Sequence, residues 1–242
     1  ADLEQKIMAS PLKPRLLLLC NPHNPVGRVW TRGELEQILE LVIRHDLWVC
    51  SDEIHCDLVL DQNCKHIPFA SLNAEAAKRT LTLMAPSKTY NIAGLNCAFA
   101  ITSNPEIRAK LAKIMRGLFS DINIFGIAAC QAALTQGGAW RGELLDYLRI
   151  NRDLVLSELA NLAGLKVTIP EATYLAWIDG RELCAKYQLA NLQQFFEVAG
   201  VGLSDGADFA NAGFVRLNFG TNRAILVEAL QRMRLAVANI IK

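Results

Sequence analysis

Three short apolar runs, residues 15–20, 47–50 and 80–85, each end on a cluster of polar residues. The first run leads into Asn21-Pro22-His23-Asn24-Pro25-Val26-Gly27, the second into Ser51-Asp52-Glu53-Ile54-His55, and the third into Pro86-Ser87-Lys88-Thr89. Short apolar runs bounded by polar clusters are the signature of buried parallel strands. Between the first two runs, Thr31 and Glu34 spell a capping box, which opens a helix reaching to about His45. Asn104-Pro105 sets a cap before a first-turn proline and opens a further helix to about Arg116. The alternation of strands and helices predicts an α/β domain with a mostly parallel sheet. Such sheets build ligand sites beyond the carboxyl ends of their strands, where the three polar clusters lie.

The residue types in those clusters make a chemical set. A lysine, an aspartate and an asparagine after successive strands are what pyridoxal 5'-phosphate asks of a protein. The Lys88 amine can form a Schiff base with the aldehyde and, once released, take the α-proton of a substrate. The Asp52 carboxylate can keep the ring nitrogen protonated, so that the ring accepts electrons. The Asn24 amide can hydrogen-bond the ring oxygen, on a loop stiffened by Pro22 and Pro25. The Ser87 hydroxyl can bind the phosphate. Each residue alone also reads as a surface lysine, a strand-end cap, an Asn-Pro turn or a turn serine; the ordered set argues for the site. Glu53 points to the opposite side of the strand from Asp52 and reads as structural. A metal site at Asp52, Glu53 and His55 is disfavoured, because neither HExxH nor a cysteine pair accompanies them.

The order NPHNPVG (21–27), SDEIH (51–55), SKTYNIAGL (87–95) and VRLNFG (215–220) resembles the fold type I pyridoxal phosphate enzymes, the aminotransferase class I/II superfamily. The wording of 20–30 and 51–55 is most similar to the MalY/PatB-type carbon–sulfur β-lyases, which are cystathionine β-lyase-like. The resemblance runs from about Arg15 to the C-terminus. It implies the C-terminal two-thirds of the fold type I architecture, in an N-terminally truncated chain. That architecture is a mostly parallel sheet with helices on both faces, plus a small α+β C-terminal domain. It implies a pyridoxal phosphate-dependent β-elimination from a cysteine-derived amino acid, giving thiol, pyruvate and ammonia, in a homodimeric parent. It assigns Arg216 to the substrate α-carboxylate and His55 to the neighbourhood of the ring oxygen, where aminotransferases commonly carry tyrosine. It also exposes a departure: Asn96 stands where many members have a phosphate-gripping arginine. Two other readings stay open, an aminotransferase acting on an amino acid and a 2-oxo acid, and a truncated non-catalytic fragment or interaction module.

Downstream of Gly117 the pattern changes. Residues 122–135 read as a buried helix, broken by Gly137-Gly138, and 140–162 as one long amphipathic helix. Strands are expected at 166–169, 174–178, 201–203 and 214–219, with helices at 192–199 and 223–241. The division expected is a partial cofactor-binding domain over 1–138, then the long helix and small domain over 139–242. Of the 242 residues 52% are apolar, enough for a substantial core, and the net charge of +1 is mixed along the chain. No basic run suggests nucleic acid. No apolar run approaches the roughly 18 residues of a membrane span, and the first residues show no signal-peptide pattern. Seven cysteines without a CxxC pair read as reduced core residues, which places the protein in the cytoplasm.

Overall fold

The computed structural model describes residues 2–117 and 122–241. They gather into two compact units. One comprises Ala1–Pro22, Val29–Asp57 and Lys65–Arg141; the other comprises His23–Arg28, Leu58–Cys64 and Gly142–Lys242.

The first unit holds α1 (Asp2–Ala9), β1 (Leu16–Cys20), α2 (Arg32–Arg44), β2 (Trp48–Asp52), α3 (Ala74–Arg79), β3 (Thr80–Met84), β4 (Phe99–Ile101), α4 (Pro105–Met115) and α5 (Ile124–Gln136). The strands lie in the order β1-β2-β3-β4. β1, β2 and β3 are parallel, with Cys20 opposite Asp52 and Asp52 opposite Leu83, and β4 runs antiparallel to β3. α2 begins at the expected capping box. Thr31 N donates to Glu34 Oε2 at 2.9 Å, and Glu34 N donates to Thr31 Oγ1 at 3.3 Å. Its Leu35, Leu39 and Val42, spaced along one helical face, bury against Leu19, Leu47, Val49, Phe69 and Ala76. Each fully buried side chain of this size contributes roughly 1.5–3 kcal/mol.

The other face of this sheet is open. Leu16 and Leu18 remain 54% and 74% exposed, and Leu83 on β3 is exposed as well. The sequence reading of α5 is right as a helix and differs in burial. Only Gly126 and Cys130 are buried, while Ile124, Phe125, Ile127 and Leu134 face outward. A helix apolar on every side reads as core, but the described residues cover only one stripe of it.

α6 (Gly138–Leu159) leads into the second unit, followed by β5 (Lys166–Thr168), β6 (Leu175–Asp179), α7 (Arg181–Tyr187), α8 (Leu192–Val198), β7 (Ser204–Asp205), β8 (Phe214–Asn218) and α9 (Arg223–Ile241). The sheet order is β5-β6-β8-β7, antiparallel throughout. Its core joins Leu148, Val155 and Leu159 of α6 to Ile178, Val215 and Leu217 of the sheet and to Leu226, Leu230, Met233 and Val237 of α9. Asn151, fully buried on α6, donates Nδ2 to the carbonyls of Phe219 (2.9 Å) and Thr221 (3.1 Å), satisfying the chain where it leaves β8. The strand expected at 201–203 forms one step later, at Ser204–Asp205, where it pairs with β8. α1 and α7 are additional to the sequence reading. Among the described residues no helix is long and apolar enough to cross a membrane.

Candidate active site

Asp52 is the last residue of β2, and the chain leaves the neighbouring β3 at Met84 to enter the turn that carries Ser87 and Lys88. That turn is wound. Tyr90 N donates to Pro86 O at 2.8 Å, and Ile92 N donates to Ser87 O at 3.2 Å. Thr89 is buried beneath it, Ser87 is half-buried, and Lys88 is exposed. Asp52 Oδ1 accepts from Ile54 N at 3.1 Å, which orients the carboxylate. The carboxylate stands at the rim of an apolar groove of about 550 Å³, lined by Leu83, Met84, Phe99, Leu111 and Met115.

Glu53 turns to the covered side, as strand alternation requires. Its Oε1 accepts from Ser51 Oγ (2.9 Å) and Phe69 N (3.1 Å), and its Oε2 meets His66 Nε2 at 2.9 Å. Three partners offset the cost of removing a carboxylate from water, and they fix the end of the strand that bears Asp52. His55 is buried in the turn that follows. Burial pushes the neighbouring Cys56 thiol up to about 12, with the charges of Asp57 and Glu53 adding to it. Beyond Lys88, Tyr90 stacks on Trp140 with ring centroids 5.8 Å apart, and Arg141 pairs with Asp57. Burial raises the Tyr90 phenol as well. Asn96 is exposed and closes the turn Ala93–Leu95 in a left-handed conformation, φ 51°, which asparagine tolerates better than most residues.

Asn24 and Arg216 belong to the second unit, and there they touch. Both peptides preceding Pro22 and Pro25 are cis. His23 N donates to Arg28 O at 2.8 Å, Gly27 N to His23 O at 2.7 Å, and Ala172 N to Gly27 O at 2.8 Å. Gly27 has φ +75°, and a Cβ on it would lie 2.7 Å from Pro170 Cβ, so the loop needs glycine there. Burial pushes the His23 imidazole below its ordinary range.

From this loop Asn24 Oδ1 accepts from Arg216 Nη1 at 2.9 Å, while Ser204 Oγ accepts from Nη2 at 2.9 Å. The guanidinium carbon sits 4.9 Å from the centre of the Phe209 ring. Trp177, opposite Arg216 in the sheet register, stacks on Phe214 at 5.1 Å and meets Phe209 edge-on at 5.6 Å. Among the described residues no carboxylate pairs with Arg216. The result is a cation held in place by neutral partners. Burial raises the nearby Tyr174 phenol, and the Arg216 charge works against that rise.

Ser204 and Phe209 escaped the sequence reading. Ser204 reaches Arg216 because it faces it directly across the β7–β8 pair, and register between distant strands leaves no local mark. Of the residues singled out from sequence, Asp52, His55, Ser87 and Lys88 fall in the first unit, and Asn24 and Arg216 in the second. No group of acidic, histidine or cysteine residues suited to a metal ion occurs among the described residues.

Known proteins resemble this chain in sequence and in fold. The family profile for aminotransferase class I and II matches residues 1–233. Cystathionine beta-lyase PatB of Bacillus subtilis (strain 168) is 40% identical over 244 residues, taking in 98% of this chain and 61% of the relative. The crystal structure of OvoB superposes with a TM-score of 0.93 at 48% identity, over 98% of this chain and 61% of that one. The PLP-bound C-S lyase of Staphylococcus hominis gives a TM-score of 0.88 at 31% identity, with coverage of 98% and 61%. The chain therefore spans about three-fifths of the length of these relatives. Its mixed α/β fold, with a first sheet that is parallel over three of its strands, is the fold type I arrangement of these enzymes. By profile, identity and fold, the chain belongs to the aminotransferase class I and II family.

Proposed function

We propose that this chain carries the catalytic residues of a pyridoxal phosphate-dependent carbon–sulfur β-lyase, acting on a cysteine-derived amino acid such as cystathionine. The observation that carries the reading is the pair of adjacent parallel strand ends. One presents Asp52 with an oriented carboxylate, and the other an exposed Lys88 on a wound turn. This donor set fits the cofactor: an accessible amine for its aldehyde and a carboxylate for its ring nitrogen. The names of two relatives, cystathionine beta-lyase PatB and a PLP-bound C-S lyase, support the same activity.

When bound, pyridoxal phosphate supplies an electron-accepting ring that lets the bond between the α-carbon and its hydrogen ionise. The protein's part follows from its residues. Lys88 would hold the cofactor aldehyde through its Nζ and, once released, would take the α-proton there. Asp52 would hold the proton at the ring nitrogen, and Ser87 would donate to the phosphate. Arg216, already fixed by Asn24 and Ser204, takes the substrate α-carboxylate through its remaining N–H groups. The Asn24 oxygen is occupied by Arg216, so its Nδ2 would be the end to donate to the ring oxygen. His55 belongs to the same ring-oxygen environment. Loss of the thiolate from the β-carbon and addition of water yield thiol, pyruvate and ammonia. We place the protein in the cytoplasm as a homodimer, as its relationship to these enzymes suggests.

The family profile also admits aminotransfer by the same residues. Borohydride reduction of the cofactor-treated chain, followed by peptide mapping, is expected to leave a pyridoxyl group on Lys88 and none on Lys78. Pyruvate release from cystathionine without an added 2-oxo acid is expected for the lyase; turnover only with the oxo acid would assign aminotransfer instead. Labelling spread over several lysines would overturn the role of Lys88.

A further inference from the structure

The segment that follows Lys88 comes to rest on α5. The Leu95 carbonyl approaches Gly126 so closely that a Cβ there would clash with it, and the same Cβ would be 3.6 Å from Cys97 Cβ. Gly126 and Cys130 are four residues apart, so they share one face of the helix. They are also the two buried residues of α5. Cys97 thus sits over the covered stripe of the helix, and its side chain is near enough to Cys130 to act on that thiol. We propose that Cys97 and Cys130 are an oxidation-sensitive pair that closes to a disulfide under hydrogen peroxide, pinning the segment after Lys88 to α5.

The two sulfurs are placed for different roles. Cys97 is half-exposed and can meet the oxidant, while Cys130 is buried behind it. The Cys97 sulfur attacks one peroxide oxygen; the oxygen–oxygen bond breaks, and a sulfenic acid and one water result. The Cys130 sulfur then attacks the Cys97 sulfur. The sulfur–sulfur bond forms, the sulfur–oxygen bond breaks, and a second water leaves. Two thiols and one hydrogen peroxide become one disulfide and two waters. Burial and the neighbouring Cys97 raise the Cys130 thiol, which suits a sulfur that resolves over one that attacks first. The close approach at Gly126 puts Cys97 within one helical turn of Cys130 on the same face of α5, and closure needs the two Cβ atoms to come to about 3.5–4.5 Å.

The test uses the purified chain, treated with hydrogen peroxide, alkylated, digested and mapped by mass spectrometry. The expected product is a Cys97–Cys130 cross-linked peptide that dithiothreitol opens. Cys97→Ser and Cys130→Ser should each abolish it. Gly126→Ala, which touches neither sulfur and pushes the segment off the helix, should slow closure roughly tenfold or more, since small misplacements of reacting groups cost that much. Circular dichroism on each variant establishes that it is folded. Cross-linking to other cysteines, separate over-oxidation of the two thiols, or closure at the wild-type rate in folded Gly126→Ala would each overturn the proposal.

Discussion

Glu53 and His66 meet at 2.9 Å with 1% and 10% of their side chains exposed. One residue earlier, at the end of β2, Asp52 is exposed, and its Oδ1 accepts from the Ile54 amide. Two adjacent carboxylates therefore do opposite work. The buried one fixes the strand end, and the exposed one faces solvent.

That contrast sets the first expectation. Glu53→Leu leaves His66, Ser51 and the Phe69 amide without their acceptor and should lower stability by roughly 3–5 kcal/mol, the usual cost of breaking a buried pair. Asp52→Asn should stay within about 0.5 kcal/mol, as exposed substitutions do. Urea unfolding of the two variants checks both, and equal midpoints would show that Glu53 is not structural.

The loop bearing Asn24 depends on Gly27. A methyl group there meets Pro170 Cβ at 2.7 Å and the Ala172 carbonyl at 3.0 Å, on a residue with φ +75°. Gly27→Ala should cost roughly 1–3 kcal/mol. Gly33→Ala is the control, because a Cβ at Gly33 meets nothing within 4 Å. Indistinguishable thermal midpoints would contradict the close approach.

His23 should make the protein acid-sensitive. Burial lowers its folded pKa from the ordinary 6.5, so the neutral imidazole is favoured in the folded chain. Between 6.5 and the lowered value the unfolded chain binds more protons. Stability therefore falls as pH drops through that window and is unaffected by this group on the alkaline side. Taken from about pH 7.5 to about pH 5.5, where an unperturbed imidazole gains its charge, His23→Gln should lose less stability than the unaltered chain. Parallel losses in urea titrations would remove His23 as the cause.

The open face of the first sheet predicts self-association. Leu16 and Leu18 stand exposed on β1, which lies at the edge of the sheet, with Leu83 on the same face. An exposed apolar face beside an unpaired strand edge invites a second copy. Light scattering should give a mass above that of one chain, and Leu16→Lys with Leu18→Lys should shift it toward the monomer. A monomeric unaltered chain at tens of micromolar would refute this.

Where a feature rests on neighbours in sequence, it was readable. Thr31 and Glu34 marked the start of α2, Asn104 and Pro105 that of α4, and the clusters after three apolar runs marked Asp52 and Lys88 at strand ends. Features set by distant pairing were not. β4 turns antiparallel to β3, Ser204 becomes a partner of Arg216 through the register of β7 on β8, and α5 shows outward a surface that reads as core. The residue types at those positions carry no information about which strand arrives beside them.

The two short segments His23–Arg28 and Leu58–Cys64 are made before the rest of the unit they belong to, which begins at Gly142. Each strand of the first sheet pairs with its predecessor and can do so as the chain is made. The Gly27 carbonyl instead waits for the Ala172 amide, and Asn24 waits for Arg216, 192 residues further on. At about 5–20 residues per second of synthesis, Asn24 spends roughly 10–40 s without its arginine. Asn24 and Arg216 can come together only once Arg216 has been made, long after Asp52 has reached the end of β2 and Lys88 the turn beyond β3.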